Sequence, residues 1–196
     1  MIVLIEETGR PPVPPEALGV LTTARLRLEP IETRHAEVFF GGLQDSDLYE
    51  FIDDIAPVTV EALRERYRML ARRQSPDGSE WWLNWAVASR VDGRYLGYVQ
   101  ATIPRDRPAL IAYVFFRAAW GKGYATEAVA HLVGYLHRTW GCAEVAARVD
   151  AGNARSIALL GRLGFELVTE GPEAGSVAPG EAEYQFRWTG MGGIDT

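Results

Sequence analysis

The chain contains one cysteine, Cys142, among 196 residues. That excludes an intramolecular disulfide and a zinc cluster built from thiolates. Its three histidines show no metal-ligand spacing, because His131 and His137 fall on different faces of one expected helix. No metal is expected. Basic residues are in deficit, with 20 Lys and Arg against 26 Asp and Glu and a net charge of -6. This counts against a nucleic-acid partner, whose phosphates need a basic face, but leaves room for a local cationic spot serving a small anion. Long apolar runs are missing too. The opening "MIVLIEETGR" has a short apolar run and no basic leader, so neither a signal peptide nor a membrane span is expected. A cytoplasmic protein is the expectation. What remains is 47% hydrophobic and 23% charged, the balance of a soluble globular chain with enough residues for one core.

The first twenty residues, with "PPVPP", read as an arm (1–20) before a single domain (21–190) and a short tail (191–196). "ARLRLEPI" alternates as a strand. Thr33 is a candidate cap for a helix through Phe40, stopped by the glycine pair at 41–42, and a second helix is expected over 59–73. Strand-like runs at 81–89, 95–103 and 109–116 are joined by short turns and predict an antiparallel meander. A helix over 123–139 carries Ala125, Val129, Leu132 and Leu136 as an apolar stripe. A strand (143–149), a helix (153–164) and two closing strands follow. The expected fold is α/β (α+β), with helices on both sides of a mixed, largely antiparallel sheet of about seven strands.

Between the third run and its helix lies "WGKGYATEA", residues 120–128. The first amides of a helix lack internal partners, and the helix dipole adds positive character there. Gly121 and Gly123 bring no Cβ atoms, while Lys122 and Arg117 supply charge, so the loop suits an anion. A magnesium-nucleotide P-loop needs Ser or Thr after its lysine, where this chain has Gly123. A dinucleotide fingerprint needs glycine where Thr126 stands, within a parallel unit, and the neighbouring strands read as antiparallel. A glycine-rich helix start without a ligand is the remaining reading.

"WGKGYATEA" after "IAYVFF", with "NARSIALLGRLGF" further on, resembles the two signature segments of the GNAT superfamily of N-acetyltransferases. The nearest subgroup by this likeness is the Rim-type ribosomal-protein N-terminal acetyltransferases, in which Trp commonly precedes the Gly-x-Gly. The resemblance covers about Leu21 to Trp188 and implies an N-acetyltransferase that takes acetyl from acetyl-CoA to a primary amine, a protein N-terminus or a small molecule. It implies that Gly121, Lys122, Gly123, Tyr124, Ala125 and Thr126 meet the pyrophosphate. Tyr113, Val114 and Phe115 would pair with the pantetheine arm by strand addition, and a free N–H there would stabilise the thioester oxyanion. Asn153 would reach the cofactor or simply cap its helix.

The family's common proton donor, a Tyr, is replaced here by Leu160. Ser156 and, further along, Tyr184 are the candidate catalytic donors, and Ser156 is also a cofactor-binding candidate. No acid lies on 109–116, so a water chain or a carboxylate of "LYEFIDD" (Glu50, Asp53, Asp54) is the candidate base. Trp81, Trp82 and Trp85, with Tyr98 and Gln100, are candidates for an aromatic acceptor wall. Two alternatives stand beside the enzyme: a CoA-binding module that has lost catalysis, and a protein using only the fold. A homodimer is compatible with the apolar arm.

Overall fold

A computed structural model describes residues 18–105, 107–168 and 183–190. Leu21–Thr22 (β1) and Leu26–Pro30 (β2) lead into helix α1 (His35–Phe40), two short 3-10 turns, and helix α2 (Val60–Leu70). Strands β3 (Glu80–Ser89), β4 (Tyr95–Pro104) and β5 (Ala109–Phe115) form the expected meander. Helix α3 (Tyr124–Trp140), strand β6 (Val145–Asp150), helix α4 (Ala154–Arg162) and strands β7 (Glu166–Leu167) and β8 (Glu183–Trp188) complete the order. The described strands make one sheet of eight, ordered β1-β2-β3-β4-β5-β6-β8-β7. Every pairing is antiparallel except β5 with β6.

That parallel pair corrects the expectation of antiparallel strands around the glycine loop. Strand β5, helix α3 and strand β6 form a βαβ crossover, because a long amphipathic helix between two strands returns the chain to the end where it began. The pair is short. Only Ala109, Leu110 and Ile111 face β6, opposite Val145, Ala146 and Ala147. Beyond Ile111, β5 stays with β4 as far as Gly97↔Phe115, and β6 stays with β8 as far as Asp150↔Glu183. Each strand follows its other neighbour, and the sheet opens between them.

Two cores sit on opposite faces. Helices α3 and α4 cover one, where Trp85, Val99, Ile111, Leu132, Leu136 and Phe186 are buried together. Burying each large side chain here contributes roughly 1.5–3 kcal/mol. Leu18, at the end of the expected arm, packs into the same core. Helices α1 and α2 cover the other face over Ile31, Phe39, Leu63, Tyr67 and Ala86. Thr59 caps α2 by accepting the Ala62 amide at 3.0 Å. Thr33 does not cap α1, which starts two residues later without a side-chain cap. Its first turn is instead held by His35 Nδ1, which accepts the Glu32 amide at 2.9 Å. No described helix is long and apolar enough to cross a membrane.

His35 is fully buried, and its other nitrogen lies 3.6 Å from Glu29 Oε2 without a hydrogen bond. Burial, helped by the charge of Arg34, holds the imidazole below its ordinary value of 6.5. Burial also acts to raise the Glu29 carboxyl, but the Arg34 hydrogen bond and the charges of Arg27 and Arg34 leave it lowered. Both groups therefore bind fewer protons folded than unfolded. Stability is full above about pH 6.5, falls as pH drops below the unfolded histidine value, and falls further as Glu29 protonates. We expect denaturation midpoints to drop between about pH 7.5 and about pH 5.5, and His35→Gln to flatten that slope. An unchanged slope in the variant would remove His35 from this role.

Candidate active site

The strand opening brings several expected residues together. The β6-facing edge of β5 is unpaired from Ala112 onward, so the backbone of Tyr113 and Val114 is available for a third strand-like partner. At the end of β5, the Trp120 indole N–H donates to the Phe115 carbonyl at 2.6 Å. This fixes the start of the glycine loop against the strand. Arg155 of α4 stacks on the Trp120 ring, its guanidinium carbon 4.5 Å from the centroid, and so reaches from the far side of the opening.

Gly121 and Gly123 have φ of 71° and 75°, a region that disfavours side chains. A Cβ on Gly121 would meet nothing within 4 Å. No side chain caps α3, so the amides of Tyr124, Ala125 and Thr126 face outward unsatisfied by the helix. The expected basic contributors are placed otherwise. Lys122 Nζ donates to the Ala118 carbonyl at 2.7 Å, and Arg117 pairs with Asp47 at 2.5 Å. With both cations engaged elsewhere, what the loop presents outward is backbone.

The loop is clamped by residues the sequence reading did not single out. Glu127 accepts from the Thr23 hydroxyl at 2.5 Å, the Arg25 amide at 2.8 Å and Arg25 Nε at 2.6 Å. Arg25 also donates to the Lys122 carbonyl at 2.9 Å and lies over the Tyr124 ring. Burial alone would raise the Glu127 carboxyl, but Thr23 and Arg25 hold it below its ordinary value. A carboxylate in the first turn of the helix, next to a glycine loop, was the available signal.

Asn153 caps α4, its side-chain oxygen accepting the Ser156 amide at 3.0 Å. Ser156 sits in the first turn of α4, near Tyr113 across the opening. The Tyr113 hydroxyl is buried and makes no hydrogen bond. Burial pushes its phenol up, and the Ser156 hydroxyl pulls the other way. Tyr184 lies on β8 opposite Val149, beyond β6 from β5, and its side chain is 41% exposed. It shares the α3–α4 face with Val149, near the end of β6 that leads into α4. Leu160 is fully buried in the α3–α4 core.

On the α1–α2 face, a shallow, solvent-open cleft is lined by Asn84, Tyr98 and Gln100 together with Tyr49, Asp54 and Arg66. Burial pushes the Tyr98 phenol up to about 12, against the pull of Arg66. Of the expected acidic residues only Asp54 lines the cleft, while Glu50 and Asp53 are exposed. The tryptophan wall is corrected. Trp85 is buried on the other face, edge-on to Tyr135 and bonded to the Gly19 carbonyl, and Trp81 packs on Trp140. Trp82 is on the cleft's face but points its indole N–H at Glu80, 3.1 Å away. The alternation along β3 that groups Trp81 with Trp85 is correct. Both faces are covered, and α3 packs on the one that carries Trp81 and Trp85.

Asn84 pairs with Gln100, and Gln100 with Ala112. Cross-strand partners share a face, so this row runs from the cleft floor to the place where β5 leaves β6. Cleft and opening are two ends of one path across the sheet.

A helix start bare of caps, an opened parallel strand pair and a cleft joined to it give the chain the architecture of the N-acetyltransferase fold. The model of the acetyltransferase (GNAT) domain family matches residues 25–166. The uncharacterized N-acetyltransferase p20 of Bacillus licheniformis is 40% identical over 152 residues, 76% of this chain and 83% of that one. Among solved structures, the ribosomal-protein-S5-alanine acetyltransferase of Vibrio fischeri has a TM-score of 0.69 at 16% identity, covering 86% of this chain and 93% of that one. RimL, a ribosomal L7/L12 α-N-protein acetyltransferase in complex with coenzyme A, has a TM-score of 0.68 at 16% identity, covering 87% and 97%. At that identity the two structures share the fold with this chain. The chain belongs to the GNAT family and is an N-acetyltransferase.

Proposed function

We propose that the enzyme transfers acetyl from acetyl-CoA to a primary amine held in the cleft beside Asn84, Tyr98 and Gln100. The observation that carries this reading is the Asn84–Gln100–Ala112 row, which links the cleft floor to the opened edge of β5. The residues fit the donor. The amides at the start of α3 suit a pyrophosphate, and the free edge at Tyr113 and Val114 suits an amide-bearing arm lying as an added strand. Acetyl-CoA supplies an activated thioester, so the protein must position it, bind charge and move protons.

The balance is simple. A C–N bond forms and the C–S bond breaks, one proton leaves the amine nitrogen, and one reaches the sulfur. Ser156, on the α4 side of the opening, is the donor to sulfur, directly or through water. Asp54, or water within the cleft, takes the proton from nitrogen. Stabilising charge with preset donors and matching proton transfers are the two means available here.

Ser156→Ala is expected to lower kcat by about 10²-fold, the scale of losing one positioned proton donor. Acetyl-CoA affinity, set at α3, should change little. Thiol release in the presence of amines, with a parallel calorimetric titration, measures both. Wild-type kcat in the alanine variant would remove Ser156 from the chemistry.

A further inference from the structure

The cleft holds one guanidinium and one carboxylate, and its other polar groups are neutral. Arg66 of α2 donates through Nη2 to Asp54 Oδ2 at 2.9 Å, while the rest of the lining is hydroxyl, amide or apolar. Such a cleft is a poor host for a polyamine, which needs several carboxylates to replace its hydration. A plain cationic amine would pair with Asp54 but bring no acceptor for the Arg66 guanidinium.

A guanidinium carries five N–H donors in a planar fork, and Asp54 engages it through one nitrogen. Arg66 is about half exposed, at 49%, so water serves its remaining donors. An acceptor that fills the cleft removes that water. Donors left unpaired then cost about 1–3 kcal/mol, more for a charged group. The group that best matches the fork is a carboxylate, which accepts two parallel hydrogen bonds. Tyr67 adds an independent demand. It lines the cleft, is 3% exposed, and its buried hydroxyl has no hydrogen-bond partner.

Building on the acetyl-transfer reading of this cleft, we propose that the acceptor is a small zwitterion of amino-acid type, its carboxylate held by Arg66 and its amine directed by Asp54 and the Asn84–Gln100 floor. Asp54 lies beside Arg66, so the two charges of the cleft are adjacent, as are those of an α-amino acid. Attack on the thioester needs the neutral amine. Asp54 therefore both attracts the ammonium and stands ready to relieve it of its proton.

The test is a set of initial rates with acetyl-CoA, using the common α-amino acids, their carboxamides, the corresponding decarboxylated amines and short peptides with free N-termini. We expect at least one free amino acid to exceed its carboxamide and amine in kcat/KM by on the order of 100-fold, the scale of a buried charge-paired contact. Arg66→Gln should erase that preference through KM, Arg66→Lys should restore part of it, and both should keep the wild-type titration with acetyl-CoA. Carboxamides, amines or peptide N-termini used as well as free acids would overturn the inference while leaving acetyl transfer in place. So would a preference that survives Arg66→Gln. Absence of acetyl-CoA binding, or of transfer to any member of the set, would overturn the acetyl-transfer reading and this inference together.

Discussion

Gly97→Ala should destabilise the protein by about 3–5 kcal/mol, a large share of the roughly 5–15 kcal/mol that holds a domain folded. Gly97 sits in β4 with φ of 149°, opposite Phe115 and beside a register shift between Val87 and Ala88. An added Cβ would lie 2.1 Å from the Val114 carbonyl oxygen and 2.7 Å from the Phe115 Cα. Those are backbone atoms of the neighbouring strand, and they cannot swing aside as a side-chain tip can. Either β5 moves away and gives up ladder bonds, or β4 distorts. The same strand end carries Tyr113 and Val114, so the molecules that still fold should bind acetyl-CoA more weakly. Urea unfolding measures the first effect as a lower midpoint at unchanged slope. Gly161→Ala, on α4 with nothing within 4 Å of the added atom, is the control and should be neutral or slightly stabilising. Equal stability of Gly97→Ala and wild type would mean that the β4–β5 contact yields easily, and that Gly97 does not hold the strand opening in shape.

Gly123→Glu should lower acetyl-CoA affinity by about 100-fold or more while leaving the domain folded. The position has φ of 75°, where a side chain costs about 1–2 kcal/mol, and an added Cβ would meet only the end of the Arg25 side chain at 3.4 Å, so the loss to the fold is modest beside the loss to the ligand. The ligand is asked to give much. A carboxylate at the mouth of α3 opposes a pyrophosphate at close range, worth about 4 kcal/mol for unit charges at roughly 4 Å and an effective dielectric near 20. It also offers the unsatisfied amides a competing acceptor from within the chain. Calorimetric titration with acetyl-CoA and with free CoA should lose both signals, while the thermal melt falls by no more than about 8 °C. Undiminished binding would move the phosphate site away from this loop, and the proposed acetyl-CoA geometry would fall with it.

Local rules made much of this architecture legible. The stripe Ala125, Val129, Leu132 and Leu136 located α3, and the spacing of "VDGR" and "PRDRP" located the meander, because each pattern is decided within one element. The glycine loop was legible for the same reason, since a bare helix start is a local property. Partner choice between elements was not. Nothing within 109–116 states that its edge pairs with β6 for three residues and then leaves it, because that outcome belongs to competition with β4 and β8. Trp81 and Trp85 were correctly put on one face, but what covers that face is α3, far along the chain. Arg66 went unnoticed because it flanks the apolar stripe of α2 without interrupting it. Its meaning depends on Asp54, which a short irregular segment brings alongside.

The clamp at Arg25 and Glu127 joins positions 102 residues apart in the chain. The backbone cradle consequently has no existence in any short piece of this protein, whatever its glycine motif looks like in isolation. A fragment beginning after β2 would carry "WGKGYATEA" intact yet lack the arginine that holds the Lys122 carbonyl in place. The motif is best regarded as a cast whose mould is supplied by the opposite end of the chain. Ligand occupancy then reports the completed chain rather than the loop, and by mass action a donor present at 100 times its Kd adds about 2.7 kcal/mol to the whole domain.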